Sequence, residues 1–319
     1  MLRGLAILMV VAIHTFSLED SSDIVIIVRQ IFNMAVPLFL AISGFFLANK
    51  ELETKHQYVE FLRRHLPRVY IPVLLWSLPE FSYNIFSGAR VVTNIVWLLI
   101  CGFSIYYFVA LIMQYYVLLP VLQKMVKSKW GGIIAALSSI SSILLLTYVI
   151  QVKGVYLPLI LYAGWSPLWI IFFFMGVYLG RRSNREYSLK WILIASLLFL
   201  GLSYVECRYL MTFHGGGDGI KISAFLFSFF AILLLMSSCL EQFINKLKWL
   251  HFLGTTFGKY SFGIYLSHLY FIMIYSRLFP QWNQLSWCFK WAVVCMLSYS
   301  IVRLLDFLFP NKTSILGLK

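Results

Sequence analysis

The first residues that could do chemistry are Arg3 and His14, in the opening stretch MLRGLAILMVVAIHTF. Eleven positions on an α-helix make three turns plus ~20°, so the two share one face, ~16 Å apart along the axis. A histidine within an apolar span is rare and points to function by default. Neutral imidazole accepts a proton from a hydroxyl, and an ordinary pKa near ~6.5 suits it to general base work. His14 stands past the midpoint of its run, toward the outer face. Its bland alternative is a packing role, bonded to a neighbouring helix. Arg3 alone reads as positive anchoring at the end of a first span. Directly below His14, it could hold an anionic ligand entering the same channel.

The densest basic cluster is EFLRRHLPRVYIPVLLW (60–76), with Arg63, Arg64, His65 and Arg68 ahead of Pro72. Guanidinium groups are what phosphate recognition uses, although such clusters also set topology. GRRSNR (180–185) reads more simply as a cytoplasmic loop. In VPLFLAISGFFL (36–47), Pro37 and the Ser43–Gly44 pair interrupt a span, allowing close helix approach or a kink, and Ser43 and Gly44 are candidate site-lining residues.

GKYSFGIYLSHLYFI (258–272) carries Ser261, Tyr265 and His268. His268 falls in the cytoplasmic half of its span, which favours a structural or ligand-orienting role over a second base. Glu80 and Glu206 approach the outer side, where either could orient or charge-stabilise His14. Asp306 follows Arg303 by three positions, an i,i+3 pair.

The elements that position these residues must lie in a membrane. The 319-residue chain is 61% hydrophobic and 12% charged, with a mean hydropathy of +0.84, whereas a soluble domain runs near ~25% charged. The fold class is an all-α integral membrane protein, a bundle of about ten transmembrane helices in one domain over 1–319. The apolar runs are 4–18, 27–48, 68–87, 104–123, 132–150, 166–180, 190–212, 221–240, 260–279 and 287–309. VVTNIVWLLICGF (91–103) is too short to span and reads as re-entrant or interfacial. The opening run leads into further spans without a small-residue cleavage site, so it is not a secretory signal.

Placing the N-terminus inside puts 19 of the 26 Lys and Arg on the cytoplasmic side, with both termini cytoplasmic. The net charge of +14 sits in clusters between apolar runs, which argues against nucleic acid. Cys101, Cys207, Cys239, Cys288 and Cys295 are scattered without a CxxC and supply no disulfide framework or metal site. LEDSSD (18–23) and FHGGGDGIK (213–221) fall on the outer face, the latter as a turn with no strand before it to make a phosphate loop. No internal repeat stands out.

Six stretches together resemble the membrane-bound acyltransferase 3 family: LRGLAILMVVAIH (2–14), VPLFLAISGFFL (36–47), FLRRHLPRVYIPVLLW (61–76), YYFVALIMQYYVLLPVL (106–122), PLWIIFFFMGVYLGRR (167–182) and GKYSFGIYLSHLYFI (258–272). They occur in the family's order over nearly the whole chain. The most specific is an arginine followed after ten residues by a histidine, met by Arg3 and His14.

The resemblance implies a ten-span core of the bacterial inner membrane. Acyl-CoA, typically acetyl-CoA, would be the co-substrate from the cytoplasm, with no cofactor permanently bound. The acceptor would be a lipid-linked or surface glycan on the outer side. The resemblance gives His14 the activation of the acceptor hydroxyl and Arg3 a place on the donor path. Ser43 and Gly44 receive a structural or site-lining role. The family often has an acidic residue shortly before the arginine; here Met1 and Leu2 precede it, and an upstream start or a short first span would account for that. The family's third-span pattern, arginine, two residues, arginine, reads here His65-Leu66-Pro67-Arg68 with Arg64 just before. Arg68 therefore carries over most directly, with Arg64 and Arg63 as further donor-binding candidates.

The main alternative from another class is a transporter or flippase of a lipid-linked sugar or small anion. A third is a family member that has lost activity and serves as a binding subunit. CoA thiol release separates the enzyme from both.

Overall fold

Backbone inside a bilayer must satisfy its own hydrogen bonds, and a helix does so within one segment. The computed structural model describes residues 1–16, 22–182, 187–212 and 219–318 and is all-helical, with no strand among those residues. Its α-helices are α1 (Leu2–Thr15), α2 (Asp23–Phe32), α3 (Ala35–Leu47), α4 (Lys55–Phe86), α5 (Val91–Leu99), α6 (Tyr107–Lys127), α7 (Gly131–Thr147), α8 (Leu159–Tyr162), α9 (Ser166–Gly180), α10 (Leu189–Met211), α11 (Ile222–Leu235), α12 (Ser238–Lys246), α13 (Lys248–Lys259), α14 (Ser261–Leu278) and α15 (Trp287–Leu308). Each of the ten apolar runs lies on a helix or a broken pair. Five segments are long and apolar enough to cross a membrane: Asp23–Leu47, α6, α7 continued to Val152, α10 and α15. Residues 18–21 of LEDSSD and 213–218 of FHGGGDGIK lie outside the described residues.

Two expected spans are interrupted. The 27–48 run breaks at Asn33–Met34 between α2 and α3. Pro37 sits four residues after Asn33 and has no N–H for its carbonyl, so the ladder cannot run through. The 221–240 run ends α11 at Leu235 and turns 67° into α12, with Ser237 Oγ accepting from the Leu240 N–H at 3.4 Å. The 91–103 segment holds the nine-residue α5, ~13 Å long. It is tied to α4 by Asn84–Asn94 and by Tyr70 Oη, which donates to the Leu99 carbonyl.

The centre of the bundle is made by short apolar helices. α1 has 14 residues and α9 has 15; at 1.5 Å per residue each is ~22 Å, short of a ~30 Å hydrocarbon core. α1 packs against α3, α13, α14 and α15, and α3 packs most closely on α9. That last contact needs small residues, because a Cβ on Gly176 would lie 2.0 Å from the Ala41 carbonyl oxygen. The basic segment before residue 260 lies between the apolar runs 221–240 and 260–279 and carries no span of its own. It folds as α13 and crosses α1 where a Cβ on Gly4 would meet the Gly254 carbonyl at 2.0 Å.

Candidate active site

His14 closes the last turn of α1, half-buried in the wall of a cavity of about 490 Å³, a size within the ~300–1,000 Å³ of small-molecule sites. The α2–α3 break brings Arg29, Asn33, Val36 and Phe39 to the same cavity. Thr147, Gln151, Tyr156 and Tyr162 close it from the end of α7 and the segment before α9, and Tyr107 and Tyr265 complete its polar lining. Most of the wall is apolar, with Ile13, Val36, Phe39, Ile105 and Leu146 among it, and a few amide, hydroxyl and guanidinium groups are set into it.

The closest ring neighbour recorded for His14 is His268 of α14, with centroids 5.5 Å apart and planes inclined at 42°. The sequence placed these two at different depths; the packing of α1 on α14 brings them level. His268 is fully buried. Its Nδ1 lies 3.1 Å from the Ile264 carbonyl and 2.9 Å from that of Tyr265. Carbonyls only accept, so these partners assign the hydrogen to Nδ1 and leave Nε2 as a bare acceptor. That Nε2 is buried and makes no hydrogen bond among the described residues. Tyr265 fixes the same turn of α14 by donating to the Ile105 carbonyl at 2.5 Å, and Tyr106 Oη donates to the Leu266 carbonyl at 2.9 Å. The 101–105 link that presents Ile105 holds two non-glycine residues in left-handed backbone, Cys101 at φ 56° and Ser104 at φ 49°. Such geometry persists only where its surroundings enforce it.

Neither expected carboxylate lines this cavity. Glu206 accepts from the Ser223 backbone N–H at 3.1 Å and from its hydroxyl, fastening α10 to α11. Glu80 lies within electrostatic reach of Tyr106 and Tyr270. A charged group that acts on His14 is Arg29. Its visible signal was a position inside the 27–48 run, two turns before Pro37.

The other end of α1 is open. Arg3 is solvent-exposed, its guanidinium carbon 5.0 Å from the Phe46 ring centroid, and it acts electrostatically on Tyr116. Tyr116 meets His65 edge-on at 5.8 Å, while His65 stacks on Phe61 at 4.2 Å. Burial lowers the His65 pKa, and Lys50, Arg68 and Arg64 lower it further, against its bond to the Phe61 carbonyl. Arg63, Arg64 and Arg68 are all exposed. Arg64 is engaged with Glu60, whereas Arg63 and Arg68 make no hydrogen bond or ion pair among the described residues.

The helix is continuous from Leu2 to Thr15, so the ~16 Å offset of Arg3 from His14 holds. The cavity's lining on α1 nonetheless runs only from Val10 to His14. Ala6 and Ile7 below it are fully buried.

Ser43 and Gly44 do not line the cavity. Ser43 Oγ donates to the Phe39 carbonyl at 2.8 Å, and Gly44 faces the α9 backbone, where its Cβ would lie 2.4 Å from the Phe173 oxygen. Arg303 and Asp306 are joined through Tyr260, whose hydroxyl accepts from Arg303 at 2.8 Å and donates to Asp306 at 3.1 Å. Sequence reasoning also missed Gln114, which donates to the Gly164 carbonyl at 2.7 Å and accepts from the Ser166 N–H at 3.2 Å, holding the segment that roofs the cavity. No group of three His, Cys, Asp or Glu residues among the described residues is placed to hold a metal.

A family model described as an acyltransferase domain matches residues 1–303. Comparison with curated proteins and with solved structures gave no match. The matched span holds both ends of α1, the arginines of α4 and the His14–His268 pair. With its apolar helices, it makes this chain a multi-pass membrane protein and an acyltransferase; the chain belongs to the acyltransferase 3 family.

Proposed function

We propose that the protein is an O-acyltransferase of the bacterial inner membrane, moving an acyl group, most simply acetyl, from acyl-CoA to a hydroxyl of a lipid-linked or surface glycan. The bundle crosses ten times, with Arg3 and the α4 arginines at the cytoplasmic face and the His14 cavity toward the outer side. The observation that carries this reading is His14 in the wall of a cavity, its ring beside that of the buried His268, with the exposed Arg3 at the other end of the same helix.

The charged nucleotide end of the donor suits Arg63, Arg68 and Arg3, since guanidinium groups pair with phosphate. The thin pantetheine arm then has to pass the packed middle of α1, so the Gly4–Met9 segment must part from its neighbours for turnover. At the cavity, His14 takes the proton of the acceptor hydroxyl as its oxygen attacks the thioester carbonyl. The C–S bond breaks, the sulfur leaves with its electron pair, and the proton held by His14 goes to that sulfur as free CoA thiol. His268 Nε2, an acceptor without a partner among the described residues, would accept a hydrogen bond from one His14 nitrogen once the two rings approach, leaving the other nitrogen free as base. Bound donor and acceptor must fill the open side of the cavity to exclude water, which would otherwise take the acyl group.

The test is thiol release from acetyl-CoA by purified protein with crude glycolipid, wild type beside His14→Ala. A fall of about 10²–10⁴-fold in the variant supports the base. Absence of thiol release from both proteins would move a lipid-linked-sugar transporter ahead of the enzyme.

A further inference from the structure

A second hollow, of about 920 Å³, runs between α7, α9 and α11. It is distinct from the His14 cavity. Trp169 lines one and Phe225 the other, and these two rings stack at 4.9 Å between them. The walls are hydrocarbon for most of its length, with Ile140, Ile143, Phe174 and Phe229 among them. One end differs sharply, being made by Lys127, Ser128 and Lys129. Trp130 follows at 57% exposure with the Lys129 ammonium 5.7 Å from its ring, the placement of an indole at the membrane–water boundary. Arg182 stacks at 4.3 Å over Tyr178, which also lines the hollow.

Among the described residues, neither Lys127 nor Lys129 makes a hydrogen bond or ion pair, and no carboxylate lines the hollow. We propose that this groove is a binding site for one anionic phospholipid, its chains between α7, α9 and α11 and its phosphate held by Lys127 and Lys129. Hydrocarbon walls facing a bilayer select a chain, and two compact ammonium charges at the boundary select a negative headgroup. A zwitterionic headgroup brings its own cation to those lysines and gains little. An isoprenoid tail has no use for them.

The experiment is native mass spectrometry of the intact protein released from micelles containing equal phosphatidylglycerol and phosphatidylcholine. Wild type should retain phosphatidylglycerol about tenfold over phosphatidylcholine. Lys127→Gln with Lys129→Gln should bring that ratio near one while monodisperse elution is kept. Lys55→Gln with Lys312→Gln, removing equal charge elsewhere, should leave it unchanged. Ala136→Phe, which fills the groove, should lower retention of both lipids. A preference that survives the 127/129 double variant overturns the site, as does equal loss in the 55/312 control. Stronger retention of added polyprenyl phosphate than of phosphatidylglycerol would also overturn it, by assigning the groove to another lipid.

Discussion

At one end of α1, the exposed Arg3 sits over Phe46 and acts on Tyr116, whose ring meets His65 of α4, the helix that carries the exposed Arg63, Arg64 and Arg68. At the other end, His14 faces a cavity and a fully buried partner whose Nε2 meets no hydrogen bond among the described residues. The first end has cations at a surface, suited to capturing an anion that arrives in water. The second has a neutral ring with a fixed neighbour, suited to a proton transfer from which water is kept out. The same fourteen-residue helix carries both. On the proposed reading, recognition and chemistry in this fold are separated by depth, so substitutions at the two ends should fail in different ways.

The largest effect should come from breaking the frame that holds both ends. Gly176→Leu drives a side chain into the Ala41 carbonyl, and no monodisperse protein should be recovered by size exclusion; normal yield would show that α3 and α9 can separate at little cost. Next, His268→Asn keeps a donor for the Ile264 and Tyr265 carbonyls and removes the Nε2 acceptor. Thiol release at saturating acyl-CoA should drop about ten- to a hundredfold with KM for acyl-CoA unchanged. His268→Gln, with a polar group nearer the Nε2 position, should recover part of it. A rise in KM without loss of rate would move His268 out of the proton path.

Smaller changes belong to the exposed end. Arg63→Gln and Arg68→Gln should each raise KM for acyl-CoA about three- to tenfold, less at high salt, with the saturated rate intact. Arg64→Gln should do less, because Arg64 is already engaged with Glu60. The smallest is a pH effect. The folded protein holds the His65 pKa below its ordinary 6.5, so the unfolded chain binds the extra proton first as pH falls. Stability from this group is complete above pH 6.5 and declines below it. His65→Phe should flatten that slope in a thermal melt; an unchanged slope would assign it to another group.

The frame was legible because hydrophobicity and charge act locally. Runs such as 190–212 needed only their own residues to be read as helices, and the Arg3–His14 register follows from helix geometry. The break at Asn33 was foreshadowed by Pro37 but depends on where the ladder fails. What the sequence could not give is long-range. His14 and His268 are 254 positions apart, and only the packing of α1 on α14 decides that they meet. The same limit made Glu80 and Glu206 look like partners of His14, since side and depth were known but azimuth was not. α13 escaped because a short, mixed helix resembles a basic loop until Gly254 is seen against Gly4.

The central claim is that donor capture and the base sit at opposite ends of one helix. The most direct test is thiol release in sealed inverted and right-side-out vesicles, with acetyl-CoA added only outside and wild type run beside His14→Ala. The account predicts release from inverted wild-type vesicles alone, lost with His14→Ala. Equal release from both orientations, or release that survives the loss of His14, would contradict it.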